Sequence, residues 1–475
     1  KYNNLGAGSI YDKPESSATQ WSLMSYLARI NYSLYDRYLF SVNGRVDGSS
    51  RFGGNNKYGF FPSGSVAWRI SEEGFMEPVK AVINNLKLRT SYGFTGNTEI
   101  GVYESLATLG SNSWTIGNQL VSGFYPNRIP NPDLKWEKTG QFDIGFDLGL
   151  FNNRLRLTAD YYYKKTTDLL YNVAIPSASG YDSMLKNIGS VQNKGYELSI
   201  ESDNLSGAFS WTTAFNISFN RNKVLELGGE TYKDVGTYDD HLKTSDIRRL
   251  IVGQPIGVFY GYRFDGIFQN EAECAQQTSS PSPIGVGLRR YKDLNGDGKI
   301  DATNDREILG DANPKFFGGM TNTFAYKGFE LNVFLQYSYG NKIFNYNAME
   351  LESPTGGQNV YQDLVNRWTP TNPSNEYQKA TTNRNNIVSD RFIEDGSFLK
   401  LKTVSLSYSF PKLNWKHIGG LRLYVTGQNL LTWTKYRGYD PEVSYRGAST
   451  LEAGEDFGGY PQARTFMFGI KLDIK

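Results

Sequence analysis

The segment "FDIGFDLGLFNNRLRLTADYYYK", which begins at Phe142, alternates between hydrophobic and polar residues with a period of two. Phe142 and Ile144 fall on one side of its first arm, whereas Asp143 and Asp147 fall on the other. The second arm follows a turn of two asparagines and repeats the pattern. Because successive side chains of a strand point to opposite faces, the segment predicts a β-hairpin with one hydrophobic and one charged face.

The same alternation recurs along the chain and predicts thirteen strands. They lie near residues 20–35, 38–47, 58–70, 86–96, 134–150, 154–165, 187–202, 209–221, 316–326, 329–340, 392–410, 420–433 and 464–475. The stretch "IGVFYGYRFDGIF" at 256–268 has a similar pattern. Counting it as a strand of the same sheet would place the short turn at 327–328 on the side of the long loops, so we assign it to a loop.

Connections of two lengths alternate between these strands. The short ones are residues 36–37, 152–153, 203–208, 327–328, 411–420 and 71–85, and we expect 71–85 to be helical. The others are 97–133, 166–186, 222–315, 341–391 and 434–463, with the shorter 48–57. Tight turns on one side and long loops on the other are typical of a transmembrane barrel, whereas a soluble β-sandwich, the alternative, has no reason to sort its loops by side. We therefore predict an all-β, antiparallel transmembrane barrel.

In such a barrel the hydrophobic face contacts lipid and the polar face borders the lumen. A charge on the lipid face costs about 2–4 kcal/mol at the middle of the bilayer, which explains why the charges share one face. The side chains that we expect to face the lumen, and to contact a solute there, are Asp143, Asp147, Arg156, Asp160, Glu197, Glu330 and Gln336.

Thirteen strands do not suit a complete barrel. An open sheet in lipid leaves unpaired backbone groups at both edges, and single-chain bacterial barrels have even strand numbers. The pattern indicates the C-terminal part of a larger barrel. A miscounted hairpin, giving a self-sufficient barrel of fourteen strands, is the alternative.

Composition excludes several other classes of function. The chain has 475 residues and a net charge of +2, without a basic segment dense enough to indicate a nucleic-acid partner. Cys274 is the only cysteine, so an intramolecular disulfide and a cysteine zinc cluster are excluded. No hydrophobic run approaches the roughly 20 residues of a transmembrane helix, and nothing indicates an enzyme.

Several segments resemble the SusC-like TonB-dependent transporters, and the resemblance runs along nearly the whole chain. They are "DGSSRFGGNNKYGFFPSGSVAWRISEE" (47–73), "NPDLKWEKTGQFDIGFD" (131–147), "VQNKGYEL" (191–198), "VGQPIGVFYGYRFDGIFQ" (252–269), "DLNGDGKID" (293–301), "ILGDANPKFFGGMTNTFAYKGFEL" (308–331) and "FLKLKTVSLSYSF" (398–410).

The resemblance implies a barrel of 22 strands in the bacterial outer membrane with an N-terminal plug inside it. Residues 1–475 would then be the C-terminal part of the barrel, without the plug and the first strands, and residues 222–315 would form a large extracellular loop. The partners implied are a SusD-like surface lipoprotein that acts as a lid, the TonB complex acting through the missing N-terminal part, the remaining barrel and plug segment, and membrane lipid. The function implied is active import of large nutrients, either oligosaccharides or oligopeptides. A passive porin, an adhesin and a scaffold barrel in a larger envelope complex are the alternatives.

The motif "DLNGDGKID" has the spacing of a calcium loop. The expected ligands are Asp293, Asn295, Asp297, the carbonyl of Lys299, Asp301 and a closing carboxylate near Asp305. Position twelve, normally a glutamate, is Asn304 here. Hard oxygen donors suit Ca²⁺, which we expect to hold the extracellular loop in place. An Asx-turn without an ion is the alternative.

Aromatic residues in the long loops are candidates for substrate binding, because flat rings stack on sugars or pack on peptides. They are Trp114, Tyr125, Tyr361 and Trp368. The alternative is that these rings pack the loops together.

Overall fold

The computed structural model describes residues 18–181, 183–236, 247–353, 359–382, 386–411, 418–447 and 449–474. Thirteen strands form one sheet in which each strand pairs antiparallel with the next along the chain. They are β1 (Leu23–Leu34), β2 (Tyr38–Ser49), β3 (Tyr58–Arg69), β4 (Ile83–Asn97), β5 (Glu137–Leu150), β6 (Leu155–Thr167), β7 (Ser190–Leu205), β8 (Phe209–Glu226), β9 (Phe316–Tyr326), β10 (Phe329–Tyr339), β11 (Phe398–Ser409), β12 (Ile418–Thr434) and β13 (Thr465–Ile474). Every predicted span overlaps one of them, so the predicted all-β sheet is confirmed.

The strand register separates the two faces of the sheet. Directly paired residues share a face, so each row of partners across the sheet can be followed from strand to strand. One row from β5 to β11 contains only hydrophobic residues, namely Leu148, Leu157, Ile200, Phe215, Met320, Leu335 and Leu401. The row beside it, on the other face, is Asp147, Thr158, Ser199, Asn216, Gly319, Gln336 and Lys400.

Large side chains on the hydrophobic face are exposed. They include Phe40 on β2, Phe146 on β5, and Phe468 and Ile470 on β13. The hydrophobic clusters found among the described residues contain none of these four side chains. The hydrophobic face is therefore free to contact lipid, as the pattern of the sequence predicts.

The edges of the sheet are open within the described residues, because β1 pairs only with β2 and β13 only with β12. Closure of the barrel by further strands stays a prediction. Among the described residues, no helix is long and hydrophobic enough to cross a membrane.

The turns on one side of the sheet are tight. Asn152 and Asn153 both have a φ of +59°, the left-handed conformation that a two-residue hairpin turn requires and that asparagine tolerates. The segment 71–85 overlaps the short 3₁₀ helix Ile70–Glu72 and contains a second one, Gly74–Val79, which confirms its predicted helical character.

The loops on the other side contain smaller elements. Their strands are Thr108–Ile116, Gln119–Arg128, Leu170–Ala174, Ser183–Asn187, Tyr232–Val235, Arg248–Ile251, Val258–Tyr262, Phe264–Ile267, Arg289–Tyr291, Arg306–Gly310, Lys342–Asn345, Ile393–Asp395 and Glu455–Asp456. Their helices are the α-helices Glu271–Cys274 and Tyr346–Leu351 and the 3₁₀ helices Ser177–Ser179, Gln362–Asn366 and Asp390–Phe392. The stretch 256–268 contributes two of these strands and lies outside the thirteen-stranded sheet, which confirms its assignment to a loop.

Three long loops share a hydrophobic core. Phe259 comes from the loop after β8, Phe344 and Phe392 from the loop after β10, and all three are fully buried. Phe457, from the loop after β12, packs against this core. We call the described parts of 227–315, 340–397 and 435–464 the loop cap.

Candidate functional site

The polar face of β4, β5 and β6 carries a network of ion pairs. Arg89 on β4 lies 2.6 Å from Asp160 on β6 through its Nη1 atom and 3.4 Å from Asp147 on β5 through its Nη2 atom. Lys87 Nζ lies 3.6 Å from Asp147 Oδ2, and Gln141 donates a hydrogen bond to Asp143. Three of the carboxylates that the sequence assigns to the lumen therefore lie on one face, and two of them, Asp147 and Asp160, are paired with cations.

Pairing continues along the same face. Arg156 donates from Nε to Glu201 at 3.0 Å and lies 3.7 Å from Asp203. Glu197 lies directly opposite Asp160 in the register. Asp147, Asp160, Arg156 and Glu201 are therefore paired with opposite charges within the chain, whereas Asp143 and Glu197 form no ion pair among the described residues.

A buried ionic cluster lies where β10 and β11 approach the loop cap. The Lys400 side chain is 2% exposed, and its Nζ atom donates to Asp440 Oδ1 and Glu442 Oε2, each at 2.6 Å. Lys402 donates to the same Glu442 oxygen at 2.9 Å, and Gln336 donates to the other oxygen at 2.9 Å. The cluster anchors the loop after β12 to the polar face of the sheet.

Burial opposes ionisation of Glu442, but hydrogen bonds from Lys400 and Lys402 outweigh it and lower the pKa of the Glu442 carboxyl. The sequence alone predicts only Gln336 among the residues of this cluster. The sequence does indicate that Lys400 lies on the polar face, because it occupies a polar position of a predicted strand. It does not indicate the partners of Lys400, which lie 40 and 42 residues further along the chain.

A second ionic network holds the loop cap together. Glu352, whose side chain is 1% exposed, accepts hydrogen bonds from Arg391 at 2.7 Å and from Arg437 at 3.1 Å. Arg437 also lies 2.9 Å from Glu394. A buried carboxylate with two arginine partners is costly to separate from either of them, so this network ties the loop after β10 to the loop after β12.

A buried ion pair joins the loop after β8 to the loop after β12. Arg248 donates from Nε to Glu455 at 2.9 Å, and both side chains are almost fully buried. Burial raises the pKa of Glu455, and Arg248 opposes that shift. The partners are separated by 207 positions, so the sequence gives no signal for the pair.

The first half of the calcium-type loop is folded around Asp293. Its carboxylate accepts the backbone amide of Gly298 at 2.7 Å, which helps to hold the pKa of Asp293 below its ordinary value. Asp297 accepts the amide of Lys299 at 2.8 Å and a side-chain hydrogen bond from Asn295 at 3.1 Å. These are the bonds of an Asx-rich turn.

The second half of this loop is held in the same way. Asp301 accepts the backbone amide of Asn304 at 2.8 Å, which lowers the pKa of Asp301. The fully buried Asp305 accepts the amides of Leu294 and Asp301, each at 2.8 Å, and so closes the loop. Within the described residues, no group of three or more His, Cys, Asp or Glu side chains is arranged to hold a metal ion. The oxygen donors suit Ca²⁺ chemically, but the carboxylates are engaged by amides, and calcium binding stays a prediction.

Two of the candidate aromatic residues lie on an exposed hairpin. Trp114 is paired with Val121 and Tyr125 with Gly110, which places both rings on the same face of the strands Thr108–Ile116 and Gln119–Arg128. Trp114 is 44% exposed and Tyr125 is 42% exposed. The Trp114 ring lies over Gly123, which has no side chain in its way. This flat aromatic surface is accessible to a ligand.

The other two candidates pack within the loop cap. Tyr361 contacts the buried cluster around Phe344, and burial raises the pKa of its hydroxyl. Trp368 donates from its indole nitrogen to Gln269 at 3.1 Å. The structure therefore brings Trp114 and Tyr125 together on one hairpin but places Tyr361 and Trp368 in loop packing.

Comparison with known proteins places the fold in a family. The family model described as TonB dependent receptor-like, beta-barrel matches residues 1–267. TonB-dependent receptor P3 of Formosa agariphila is 41% identical over 480 residues, which cover 99% of this chain and 47% of the relative. TonB-dependent receptor SusC of Bacteroides thetaiotaomicron is 32% identical over 472 residues, which cover 96% of this chain and 44% of the relative.

A solved structure of the RagAB peptide importer in the open-open state superposes with a TM-score of 0.82 and 27% sequence identity, covering 98% of this chain and 48% of that one. The chain thus spans about half the length of the relatives that it matches. The thirteen-stranded sheet with its hydrophobic outer face, together with these matches, shows that the chain belongs to the TonB-dependent receptor β-barrel family of the bacterial outer membrane and is a SusC-like member of it.

Proposed function

We propose that this chain forms the C-terminal part of the barrel of an active importer of large nutrients, either oligosaccharides or oligopeptides. The observation that carries the proposal is the continuous polar face of the sheet, which meets a folded loop cap at the Lys400 cluster. A lumen lined by paired charges suits passage of a polar solute, and a cap with its own core suits its capture.

The rest of the machinery is proposed to lie outside this chain. A plug and the remaining barrel strands would close the lumen, and the TonB complex would move the plug. A SusD-like lipoprotein would act as a lid over the loop cap. RagAB, at 27% identity, is described as a peptide importer, which supports a large polymeric nutrient without choosing between peptides and glycans for this chain.

Within the chain, we assign two roles. Asp143, Asp147, Asp160 and Arg156 form the polar wall along which a solute or plug moves, since each is already paired or hydrogen-bonded to a neighbour on that face. Trp114 and Tyr125 offer an exposed aromatic surface for a sugar ring or an apolar side chain.

Growth of a deletion strain on defined oligosaccharides and oligopeptides tests the proposal. We expect loss of growth on one class of nutrient, restoration by the complete gene, and the same loss in a strain without TonB. Uptake that persists without TonB would indicate a passive pore. Unchanged growth and uptake on both classes, together with purification in a large envelope complex that lacks a lid lipoprotein, would favour a scaffold.

A further inference from the structure

The outward-facing positions of the sheet have an unequal charge distribution. Following the register across the thirteen described strands, we find one acidic residue on the hydrophobic face, Glu226, which pairs with Ser190 beyond a register shift at the loop end of β8. The same face carries five basic residues. These five, which we call the outer basic patch, are Lys138, Lys165, Lys194, Arg221 and Lys223. They lie on four adjacent strands, β5 to β8.

The register gathers these five residues into one patch. Lys194 on β7 pairs with Arg221 on β8, and in the next row Gln192 on β7 pairs with both Lys165 on β6 and Lys223 on β8. Since neighbouring strands are about 4.8 Å apart, four strands span about 15 Å. The patch is therefore about as wide as a lipid headgroup of several sugars.

The height of the patch in the membrane follows from its surroundings. All five residues lie toward the ends of β5 to β8 that lead into the long loops. On the bilayer side of the patch lies a row of Ile144, Tyr161, Tyr196 and Phe219. Aromatic rings of this kind mark the membrane interface, so the basic groups reach the headgroup layer of the outer leaflet.

The cations of the patch lack internal counter-ions. None of the five pairs with a carboxylate in the part of the chain that the structure describes. Lys138 Nζ lies 4.0 Å from the ring centroid of Phe94, and Arg221 donates only to backbone carbonyls, including that of Lys315 at 2.9 Å. On the opposite face, by contrast, Arg89 and Arg156 are paired with carboxylates.

The distribution also distinguishes the two leaflets. The ends of the same strands that lead into the tight turns carry hydrophobic outward residues, such as Leu150 on β5, Leu155 on β6 and Phe209 on β8. If lysine and arginine were here only because they favour the ends of membrane-spanning segments, basic residues would lie at both ends of the strands and around the whole sheet. The patch is instead confined to one leaflet and four strands.

We propose that the outer basic patch binds the phosphate groups of a phosphorylated glycolipid of the outer leaflet, with the chemistry of lipid A. The lysine and arginine stems lie along the hydrophobic wall and extend their charged groups to the headgroup phosphates. The aromatic row beside them contacts the acyl chains. The bound lipid supplies counter-charges for these five cations, which form no ion pair within the described residues, and fixes the barrel wall in the outer leaflet.

Binding of diphosphoryl lipid A to the purified full-length transporter in detergent, followed by native mass spectrometry, tests the proposal. The variant is K165Q/K194Q/K223Q. Each basic residue near an anionic lipid contributes about fivefold to the affinity, so we expect binding roughly a hundredfold weaker than in the wild type. Fully dephosphorylated lipid A is expected to bind wild type and variant equally.

The matched control is Lys164→Gln, because Lys164 is adjacent to Lys165 on β6 but belongs to the polar face, where its Nζ atom lies 4.9 Å from the Tyr162 ring centroid. We expect this variant to bind lipid A as the wild type does. The charge-conserving variant K165R/K194R/K223R should retain binding. Equal binding of dephosphorylated lipid A by the wild type and the glutamine variant excludes loss of the fold as the cause. Equal binding by the wild type and the triple glutamine variant would overturn the proposal, and so would an equal loss in K164Q or competition by millimolar inorganic phosphate alone.

Discussion

Replacing Lys400 by methionine should release the loop after β12 from the barrel wall. The lysine is 2% exposed and donates to both Asp440 and Glu442 at 2.6 Å. Methionine keeps the length of the side chain but removes its charge. Glu442 keeps Lys402 as a partner, so Asp440 is the carboxylate left buried without a cation.

Removing one partner of a buried ion pair costs about 3–5 kcal/mol, and the remaining pair with Lys402 favours the lower end of that range. A cost of about 3 kcal/mol corresponds to roughly a 150-fold larger open population of the loop. Hydrogen exchange of residues 435–447, followed by mass spectrometry on the purified full-length protein, measures this change. We expect these amides to exchange about a hundredfold faster while those of β11 and β12 stay protected.

Arg422→Met is the matched control for this experiment. Arg422 lies on the neighbouring strand and pairs with Glu330 on the same face, but its side chain is 40% exposed. An exposed pair contributes about 0–1 kcal/mol, so exchange of residues 435–447 should change less than about fivefold. Asp440→Asn added to K400M should restore part of the protection, because it removes the unpaired buried charge. Similar exchange in K400M and R422M would refute the reasoning.

Three further predictions concern the faces of the sheet, the pH dependence and the calcium-type loop. Ile200→Lys, on the hydrophobic face, should cost about 2–4 kcal/mol in barrel stability measured by urea unfolding in lipid vesicles, whereas Ser199→Lys, on the polar face, should cost less than about 1 kcal/mol. Equal losses would contradict the assignment of the faces. The folded protein lowers the pKa of Glu442. The Glu442 carboxylate should therefore stabilise the loop fully at pH values above its ordinary pKa of about 4.3, and this stabilisation should be lost as the pH falls through the lowered pKa. Protection of residues 435–447 from hydrogen exchange that rises on acidification would contradict this. Adding Ca²⁺ to protein freed of divalent ions should protect residues 293–305 from hydrogen exchange, and Asp293→Asn should abolish the effect; no protection in the wild type would leave the loop as an ion-free turn.

The strands could be predicted from the sequence because their signal is local. A period of two is visible in any one segment, and the register requires only that each strand pair with its neighbour in the chain, as β5 and β6 do around Asn152 and Asn153. The alternation of tight turns and long loops along the sheet followed from the spacing of the predicted strands. For the same reason, the strand-like stretch 256–268 could be excluded from the main sheet.

The interior of the loop cap could not be predicted in this way. Arg248 and Glu455 meet across 207 positions, and no period in the long loops indicates which charges become buried together. Trp368 shows the same difficulty among the aromatic residues, because its packing depends on contacts with Gln269 and Gly287, which lie about 80 to 100 positions away in the chain. Burial of a side chain in a long loop depends on contacts between distant segments.

The central claim is that lipid contacts one face of the sheet and water the other, and adjacent residues of β5 test it most directly. Spin labels attached singly to cysteines at positions 142–148, in full-length protein in outer-membrane vesicles with Cys274 replaced by serine, report their surroundings through collisions with oxygen and with a water-soluble nickel complex. We predict that the labels at Phe142, Ile144 and Phe146 collide mainly with oxygen and those at Asp143 and Asp147 mainly with the nickel complex, with a period of two. Equal access of the nickel complex to both sets would contradict the account.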